Sequence, residues 1–568
     1  MTPRHGSTDP ERNGRHERQN ELHEGAREGT DEAASTQASI PRRDISDQML
    51  RDDTTNADSW LTYNKGLEQL GYSPADRIDT TNVHTLAETY TLDTESSGLE
   101  VNPLVVPGDP PVMYYSVQDV WKVEAVNART GEQFWSSEIS FPEDVKSRLY
   151  AINRGVAVWG DAVYVATPVP SIVAFDRYTG EELWTKDLLI EEQIEDRAFV
   201  TQAPMAYDET VFVGQSSDYA TFTTMSALDA ETGEILWQRR TAPKDEWVAE
   251  TWRYASASPW MSPAIDPETD TVLFSTGNPD PAFNGLVRPG PNRESCSVIA
   301  VDAKSGDVKW STQISPHDLW DYDVHTTPQI IDVYPSDGDD CEPLRAVLIT
   351  WKAGWLYLLD IETGRILERS PPFAKQGGPA FLSLPPAGEE NAETMYPAIE
   401  GATEWPLDAY SPKTNLTYVG ANSAGQKVWS DPDWTAETYD PDSGFARGGG
   451  VAQIDDEDQG SSVVAVDVGR GEIAWEHELQ DTDPDWSSVR AFTGGSTATG
   501  GNVVFHGSPR GHLIALNAET GKRLWRDRAG GRITAAPVVW DDSTTGEQYV
   551  AVAADDRIVV YSSDGSTA

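Results

Sequence analysis

The chain predicts an all-β fold, an eight-bladed β-propeller of four-stranded blades, on three observations. A five-residue turn ending in Thr-Gly, or a close variant of it, recurs along the chain, and in most copies Trp stands four residues beyond it. Short apolar strands led by Pro precede most copies. Two strand-like runs at 548–552 and 557–561 are expected to share a blade with strands from the N-terminal region and so to close the ring.

The turn runs Asn127-Ala128-Arg129-Thr130-Gly131 before Trp135, then from Asp176 to Gly180 before Trp184 and from Asp229 to Gly233 before Trp237. Further copies run from Asp302 to Gly306 before Trp310, from Asp360 to Gly364, from Asp467 to Gly471 before Trp475, and from Asn517 to Gly521 before Trp525. An apolar strand, a turn with Gly where φ must be positive, and a second strand opening on Trp make a hairpin. Pro103, Pro204, Pro263, Pro328 and Pro537 each lead another short strand. Four strands per unit is the size of a propeller blade. The interval from Trp237 to Trp310 is long enough to require an insertion. A degraded copy is expected between Gly364 and Asp467, where Tyr410 to Asn422 reads as strands without the Thr-Gly and Trp, and this brings the count to eight. Because Trp recurs at one offset, it is assigned to packing between blades.

Residues 1–45 are rich in Arg, Glu, Gly, Ser and Thr and nearly lack large apolar side chains. Such a segment cannot offset its ordering entropy, so a disordered tail is expected, followed by a single propeller domain over 46–568. The chain carries 93 acidic and 43 basic residues, a net charge of -50. Self-repulsion of that size destabilises a compact state in low salt, whereas molar salt shortens the screening length to about 3 Å, which reads as an extreme halophile, a haloarchaeon. The same charge argues against nucleic acid and anionic membranes as partners.

Cys296 and Cys341 are the only cysteines, which excludes a disulfide framework, a zinc cluster and a Cys-x-x-Cys-His haem site and leaves one bridge open. No apolar run approaches the roughly 18 residues of a membrane span, and no signal-peptide core follows the N-terminus. After Arg42-Arg43 stands Asp-Ile-Ser-Asp-Gln, where a twin-arginine signal needs an apolar segment. As written, the chain reads as soluble and cytoplasmic.

Residues outside the repeat carry the chemistry. Pro316-His-Asp-Leu-Trp-Asp-Tyr-Asp323 gathers three carboxylates, and close like charges raise one another's pKa unless a cation or proton sits between them. It is either a solvated acidic loop or a metal and general-base site. Trp320 and Tyr322 beside Asp321 favour a partly buried loop. His317 is expected to hydrogen-bond within the loop, and Asp318 to serve its turn.

Asn153-Arg154-Gly155, Thr201-Gln202-Ala203-Pro204, Trp260, Thr276-Gly277-Asn278-Pro279 and the acidic octapeptide follow one another in an order and spacing that resemble the quinoprotein alcohol dehydrogenases. These are eight-bladed propellers that hold pyrroloquinoline quinone (PQQ) and a metal ion on the axis. The resemblance covers about Ser59 to Tyr561 and is most specific from Trp260 to Asp323. It implies that Glu100 contacts the quinone, that Arg154 grips a quinone carboxylate or carbonyl with its planar donor fork, and that Thr201 meets another carboxylate. Trp260 is implied as the floor on which the quinone stacks, and Lys352 as the cation near the reacting carbonyls.

For the metal, the resemblance implies Asn278, Asp321 and, in place of the family's glutamate, Asp218, all oxygen donors suited to a hard cation. In relatives that use lanthanides, an aspartate two residues after the catalytic one adds a ligand. Asp323 matches that position, but glucose-type members carry an acid there too, so Ca2+ and a lanthanide both stay open. In the implied mechanism, the metal polarises the C5 carbonyl of PQQ, Asp321 takes the hydroxyl proton of an alcohol or sugar, and hydride passes to C5. Electrons would leave to an external acceptor, a cytochrome c or blue-copper protein, and the family works outside the cytoplasm.

Three departures stand against the family pattern. Asp218 is shorter than the family's glutamate, Arg148-Leu149 replaces a vicinal cysteine pair, and Thr493-Gly494-Gly495 replaces Trp-Gly-Gly. The alternative to an enzyme is a non-catalytic propeller of the same superfamily acting as a protein-binding scaffold. Glu100, Arg154, Asn278 and Asp321 favour the enzyme.

Overall fold

The structure, a computed structural model, describes residues 39–141, 152–193, 197–334, 342–378, 383–454, 459–479 and 493–563. The expected disordered tail lies outside the described residues up to Ala38, as do Cys341 and the Arg148-Leu149 pair. The described chain is folded from near its start. Ile45 is buried and exchanges backbone hydrogen bonds with Gly160, and the Arg43 side chain donates to the Pro107 carbonyl at 3.3 Å.

The fold is an all-β propeller. Among the described residues the strands form eight sheets of four or five strands and one of three, and the single α-helix, Asp47–Arg51, has five residues. The first sheet shows the plan, an antiparallel meander of Leu104–Val106, Val112–Val117, Lys122–Asn127 and Gln133–Glu138. Sheets of the same order span 156–187, 205–240, 264–313, 329–369 and 409–478. In the next, Ser496–Thr499, Val503–Gly507, His512–Asn517 and Arg523–Arg528 gain Tyr72–Ser73 as a parallel fifth strand.

The repeat explains how neighbouring sheets lock. Each turn glycine has φ between +65° and +75°, and a Cβ on Gly180, Gly233, Gly306, Gly364 or Gly521 would overlap the Trp of the preceding sheet, at 2.3 to 2.8 Å. The indole N–H of Trp135 donates to the Arg177 carbonyl at 3.0 Å, and that of Trp184 to Ala230 at 3.2 Å. Trp237 and Trp310 repeat this on Ala303 and Ile361, both at 2.9 Å. Within its own sheet a register shift sets each Trp opposite a small residue, Trp135 facing Ala125 and Trp237 facing Ala227. Packing between blades is therefore what the repeated Trp does.

Ring closure follows the expectation. Ala87–Asp93 pairs antiparallel with Arg557–Ser562, completing a sheet with Glu547–Ala554 and Val538–Asp542. This closing sheet lacks the Trp, and Tyr90 stands in for it: its hydroxyl donates to the Ala128 carbonyl at 2.8 Å and its ring covers Gly131. The degraded repeat is corrected by the topology. Ala409–Ser411 and Leu416–Asn422 are the first half of the same sheet as Ser461–Asp467 and Glu472–Glu478, so among the described residues no separate four-stranded unit lies between Gly364 and Asp467. A small sheet of Glu393–Met395, Gln426–Ser430 and Gly449–Gln453 splits the two halves in sequence, which is why the motif looked lost.

The first strands of neighbouring sheets touch one another. Across them runs the segment 57–72, whose carbonyls at Leu67, Glu68, Leu70 and Gly71 accept the N–H groups of Ile265, Ile330, Tyr410 and Ala498. One N-terminal segment thus ties the inner strands of four sheets together.

Candidate active site

In an antiparallel meander, the residues just before the first strand and just after the second lie at the same end of the sheet. Glu100, Arg154, Thr201, Trp260, Asp321 and Asp323 precede first strands, whereas Asp218, Asn278 and Lys352 follow second strands. All nine border one cavity of about 420 Å³. The structure therefore brings together the nine residues that the sequence assigns to cofactor, metal and base.

Arg154 is almost fully buried, and its guanidinium stands 5.0 Å from the Trp260 ring centre and 4.9 Å from that of Trp405. Its Nη2 lies 2.8 Å from Glu100 Oε2, and its backbone N–H donates to the Thr201 carbonyl at 3.1 Å. Arg154 Nε is buried without an acceptor. The Thr201 hydroxyl meets Ser216 Oγ at 3.1 Å, and Trp260 is stacked at 6.4 Å on His325. Gly277 lets the chain pass beside these groups, because a Cβ there would lie 2.9 Å from Asp323 Oδ1 and 3.1 Å from the Trp260 indole nitrogen.

The acidic octapeptide is a buried loop. Asp318 Oδ2 accepts the backbone N–H groups of Trp320 and Tyr322, each at 3.1 Å, and so serves the loop as expected, whereas the His317 ring reaches out of the loop, its Nδ1 3.0 Å from Asn292 Oδ1. Trp320 is buried in the core with Leu319 and Tyr322. Asp321 stands at φ 63°, an unusual conformation for a non-glycine residue and one that clusters at functional sites. Asp323 Oδ1 accepts the Asn278 N–H, and its Oδ2 lies 2.9 Å from Lys352 Nζ.

Lys352 is held by three carboxylates. Glu404 Oε1 is also at 2.9 Å and Asp321 Oδ1 at 3.5 Å. Burial pulls the ammonium down, but Asp321, Asp323 and Glu404 outweigh it and hold its pKa well above the ordinary value. Burial pushes the Asp321 carboxyl up to about 6, with Lys352 drawing it back and Asp323 adding to the rise. Asp218 is raised well above the carboxylate range by burial, then by Asp280, Asp321 and Asp323.

Eight carboxylates border the cavity against four cationic side chains, an imbalance that favours a bound cation. Among the described residues no three His, Cys, Asp or Glu side chains are already gathered into a ligand set. Asp218, Asn278 and Asp321 offer oxygen donors from three loops, and a chelating cofactor would have to complete the set.

Sequence reasoning missed Glu404, Trp405, Asp280, Glu400 and Arg447, all of which border the cavity. Asp280 Oδ2 accepts the Ser256 hydroxyl and, at 2.9 Å, the Ala220 N–H, which ties the loop after Asn278 to the loop after Asp218. Glu404-Trp405 stands just before the first strand Ala409–Ser411, the same place in its sheet as Arg154 and Trp260 in theirs, and that positional rule would have found it. Thr493, Gly494 and Gly495 are not among the residues that border the cavity. They pack against Gly420, Gly507 and Ala536.

A family model described as glucose/ethanol/alcohol dehydrogenase, β-propeller domain, matches residues 60–369, which hold all nine site residues. A second, described as outer membrane protein assembly factor BamB, matches 459–568, a stretch that holds none of them. Quinoprotein alcohol dehydrogenase PedH of Pseudomonas putida is 30% identical over 89% of this chain and 88% of its own length. Quinohemoprotein alcohol dehydrogenase of Comamonas testosteroni is 29% identical over 92% of this chain and 76% of its own length. The solved structure of quinohemoprotein alcohol dehydrogenase ADHIIG from Pseudomonas putida superposes with a TM-score of 0.79 at 26% identity, covering 93% of this chain and 84% of that one. From the cavity, the matched residues and these relatives together, the chain belongs to the quinoprotein glucose/ethanol/alcohol dehydrogenase family.

Proposed function

We propose that the chain oxidises an alcohol or a sugar hydroxyl with PQQ and a bound metal ion, Ca2+ or a lanthanide, and passes the electrons to an external cytochrome c or blue-copper protein. The observation that carries this reading is the convergence of Glu100, Arg154, Thr201, Trp260 and Lys352 with Asp218, Asn278, Asp321 and Asp323 on one cavity. The family is one of oxidoreductases, and the scaffold alternative is set aside. The eight sheets of four or five strands are taken as the eight blades, and the charge of -50 supports a high-salt, haloarchaeal setting. Among the described residues no helix is long and apolar enough to cross a membrane.

The residues fit a flat anionic cofactor. The orphaned Arg154 Nε is a donor awaiting an acceptor, Trp260 offers an aromatic surface at the cavity, and the missing Cβ of Gly277 leaves the edge of that indole uncrowded. When bound, PQQ with its metal ion supplies the two-electron acceptor for the hydride. Glu100 and Arg154 orient it, and Asp218, Asn278 and Asp321 hold the metal. Asp321 takes the hydroxyl proton of the substrate. Lys352 holds Asp321, Asp323 and Glu404 in a fixed charge pattern, so the base cannot swing away from the substrate.

The reading is tested by titrating the protein, purified in molar salt, with PQQ and either calcium or a light lanthanide, followed by absorbance. Binding together with alcohol-dependent reduction of an artificial dye is expected. Failure to bind PQQ with either metal overturns it.

A further inference from the structure

Besides the active-site cavity, the fold encloses a smaller one. Asn64, Thr327, Gln329 and Asp408 border it, and Trp405 borders both cavities. All four polar residues are at least 95% buried. Each contributes an oxygen with no hydrogen-bond partner: Asn64 Oδ1, Thr327 Oγ1, Gln329 Oε1 and Asp408 Oδ1.

The orientation of the two amides is fixed by their other ends. The Asn64 NH2 group donates to the carbonyls of Gln69 at 2.9 Å and Asp408 at 3.2 Å. The Gln329 NH2 group donates to the same two carbonyls at 3.0 and 2.9 Å. Flipping either amide would set oxygen against oxygen twice, so the orphaned atoms are acceptors and not donors. Asp408 spends its Oδ2 on the Thr350 hydroxyl and has nothing for Oδ1. Burial pushes its carboxyl up to about 7, with only the Thr350 hydroxyl pulling it back and no basic side chain acting on it.

Unpaired buried acceptors around a lone carboxylate are costly unless a cation or a donor stands among them. We infer that the cavity bordered by Asn64, Thr327, Gln329 and Asp408 is a binding site for one sodium ion. One carboxylate among neutral oxygens balances a single positive charge, whereas a divalent ion would leave a buried excess. Size points the same way. The cavity leaves no room for a sphere the size of a water molecule, and a bare ion about 2.4 Å from its oxygens needs less space than a water at about 2.8 Å. The ion would tie the N-terminal segment at Asn64 to the loops before two first strands, at Thr327 and Asp408, beside the Trp405 that walls the active site.

The test follows thermal unfolding of the full chain at constant ionic strength while choline chloride is replaced stepwise by sodium or potassium chloride. Constant ionic strength removes general screening of the -50 charge. The expected result is a midpoint that rises on the order of 1 to 2 °C per tenfold rise in sodium and not in potassium, and loss of that rise in Asp408→Asn. No sodium-specific rise overturns the inference, as does a rise that survives in Asp408→Asn. Should the variant not fold, a high-resolution crystal structure of the natural chain grown in sodium chloride decides it. A peak in this cavity about 2.4 Å from the four oxygens supports the site, and its absence overturns it.

Discussion

Asp323 presents one carboxylate oxygen to the Asn278 N–H and the other to Lys352 Nζ at 2.9 Å. Each oxygen keeps a further lone pair, but a metal ion bound there would stand beside the Lys352 ammonium, a repulsion relieved when Lys352 shifts toward Glu404, its other partner at 2.9 Å. A trivalent ion repays that rearrangement better than calcium does, because the carboxylate is worth more to the higher charge. Asp323→Ala should accordingly abolish lanthanide-supported dye reduction while calcium-supported reduction persists. If lanthanide-supported activity survives, Asp323 is not a ligand.

Asp321 is the carboxylate on which turnover depends. It is the member of the octapeptide that borders the cavity with Asp323, while Asp318 is consumed by the loop's own backbone. Asp321→Asn keeps the shape and removes the base, so turnover should fall by about 10²- to 10⁴-fold with PQQ still bound. Rapid-mixing absorbance of the loaded variant separates the two effects. Loss of PQQ binding, with turnover limited only by that loss, would contradict the assignment.

Arg154 lies between two indoles and against Glu100, a position that gives a guanidinium little freedom and leaves its Nε unspent. Removing it in Arg154→Leu takes away a charge-assisted contact worth roughly 1.5 to 3 kcal/mol, a loss of about tenfold or more in PQQ affinity. Absorbance titration of the variant measures it, and unchanged affinity would mean that the guanidinium faces Glu100 alone.

Much of this was legible in the sequence, for physical reasons that differ by residue. Trp135 and Gly180 were readable because a repeat forces the same contact again and again, and Tyr90 was not because a single closing sheet has no repeat to betray it. The split sheet of 409–478 was misplaced because its two halves are separated by an inserted sheet, and hydrogen-bond partners across such a gap leave no trace in local spacing. Asn278 and Asp321 stood out as polar residues outside the repeat. Glu404 did not, since an acid in a chain with 93 of them carries no signal until its partner Lys352 is seen.

The turn glycines test the packing directly. Gly306 has φ 72° and a Cβ there would lie 2.7 Å from the Trp237 ring, whereas Gly160 has φ 55° with open space around the same point. Gly160→Ala should cost about 1 kcal/mol, the conformational term alone. Gly306→Ala adds the displacement of a buried indole and should cost about 2 to 4 kcal/mol. Urea unfolding of the two variants side by side checks the difference, and equal losses would show that the indole yields freely.

Glu68 makes stability depend on pH away from the active site. Burial pushes its carboxyl up to about 7 from an ordinary 4.5; Arg345 opposes this, while Asp53 and Asp266 add to it. Its Oε2 is buried without a donor. Because the folded-state pKa lies above the unfolded one, the folded chain binds the proton more tightly between these values. The contribution is present below pH 4.5 and is lost as pH rises through 7. Glu68→Gln keeps the neutral shape at every pH, so it should match the natural chain near pH 5 and exceed it near pH 8 by roughly 2 kcal/mol. Unfolding midpoints at the two pH values, in the same salt, measure this. A variant that is less stable at pH 8 than the natural chain would show that Glu68 is held as a paired carboxylate, with Arg345 as the group that pairs it.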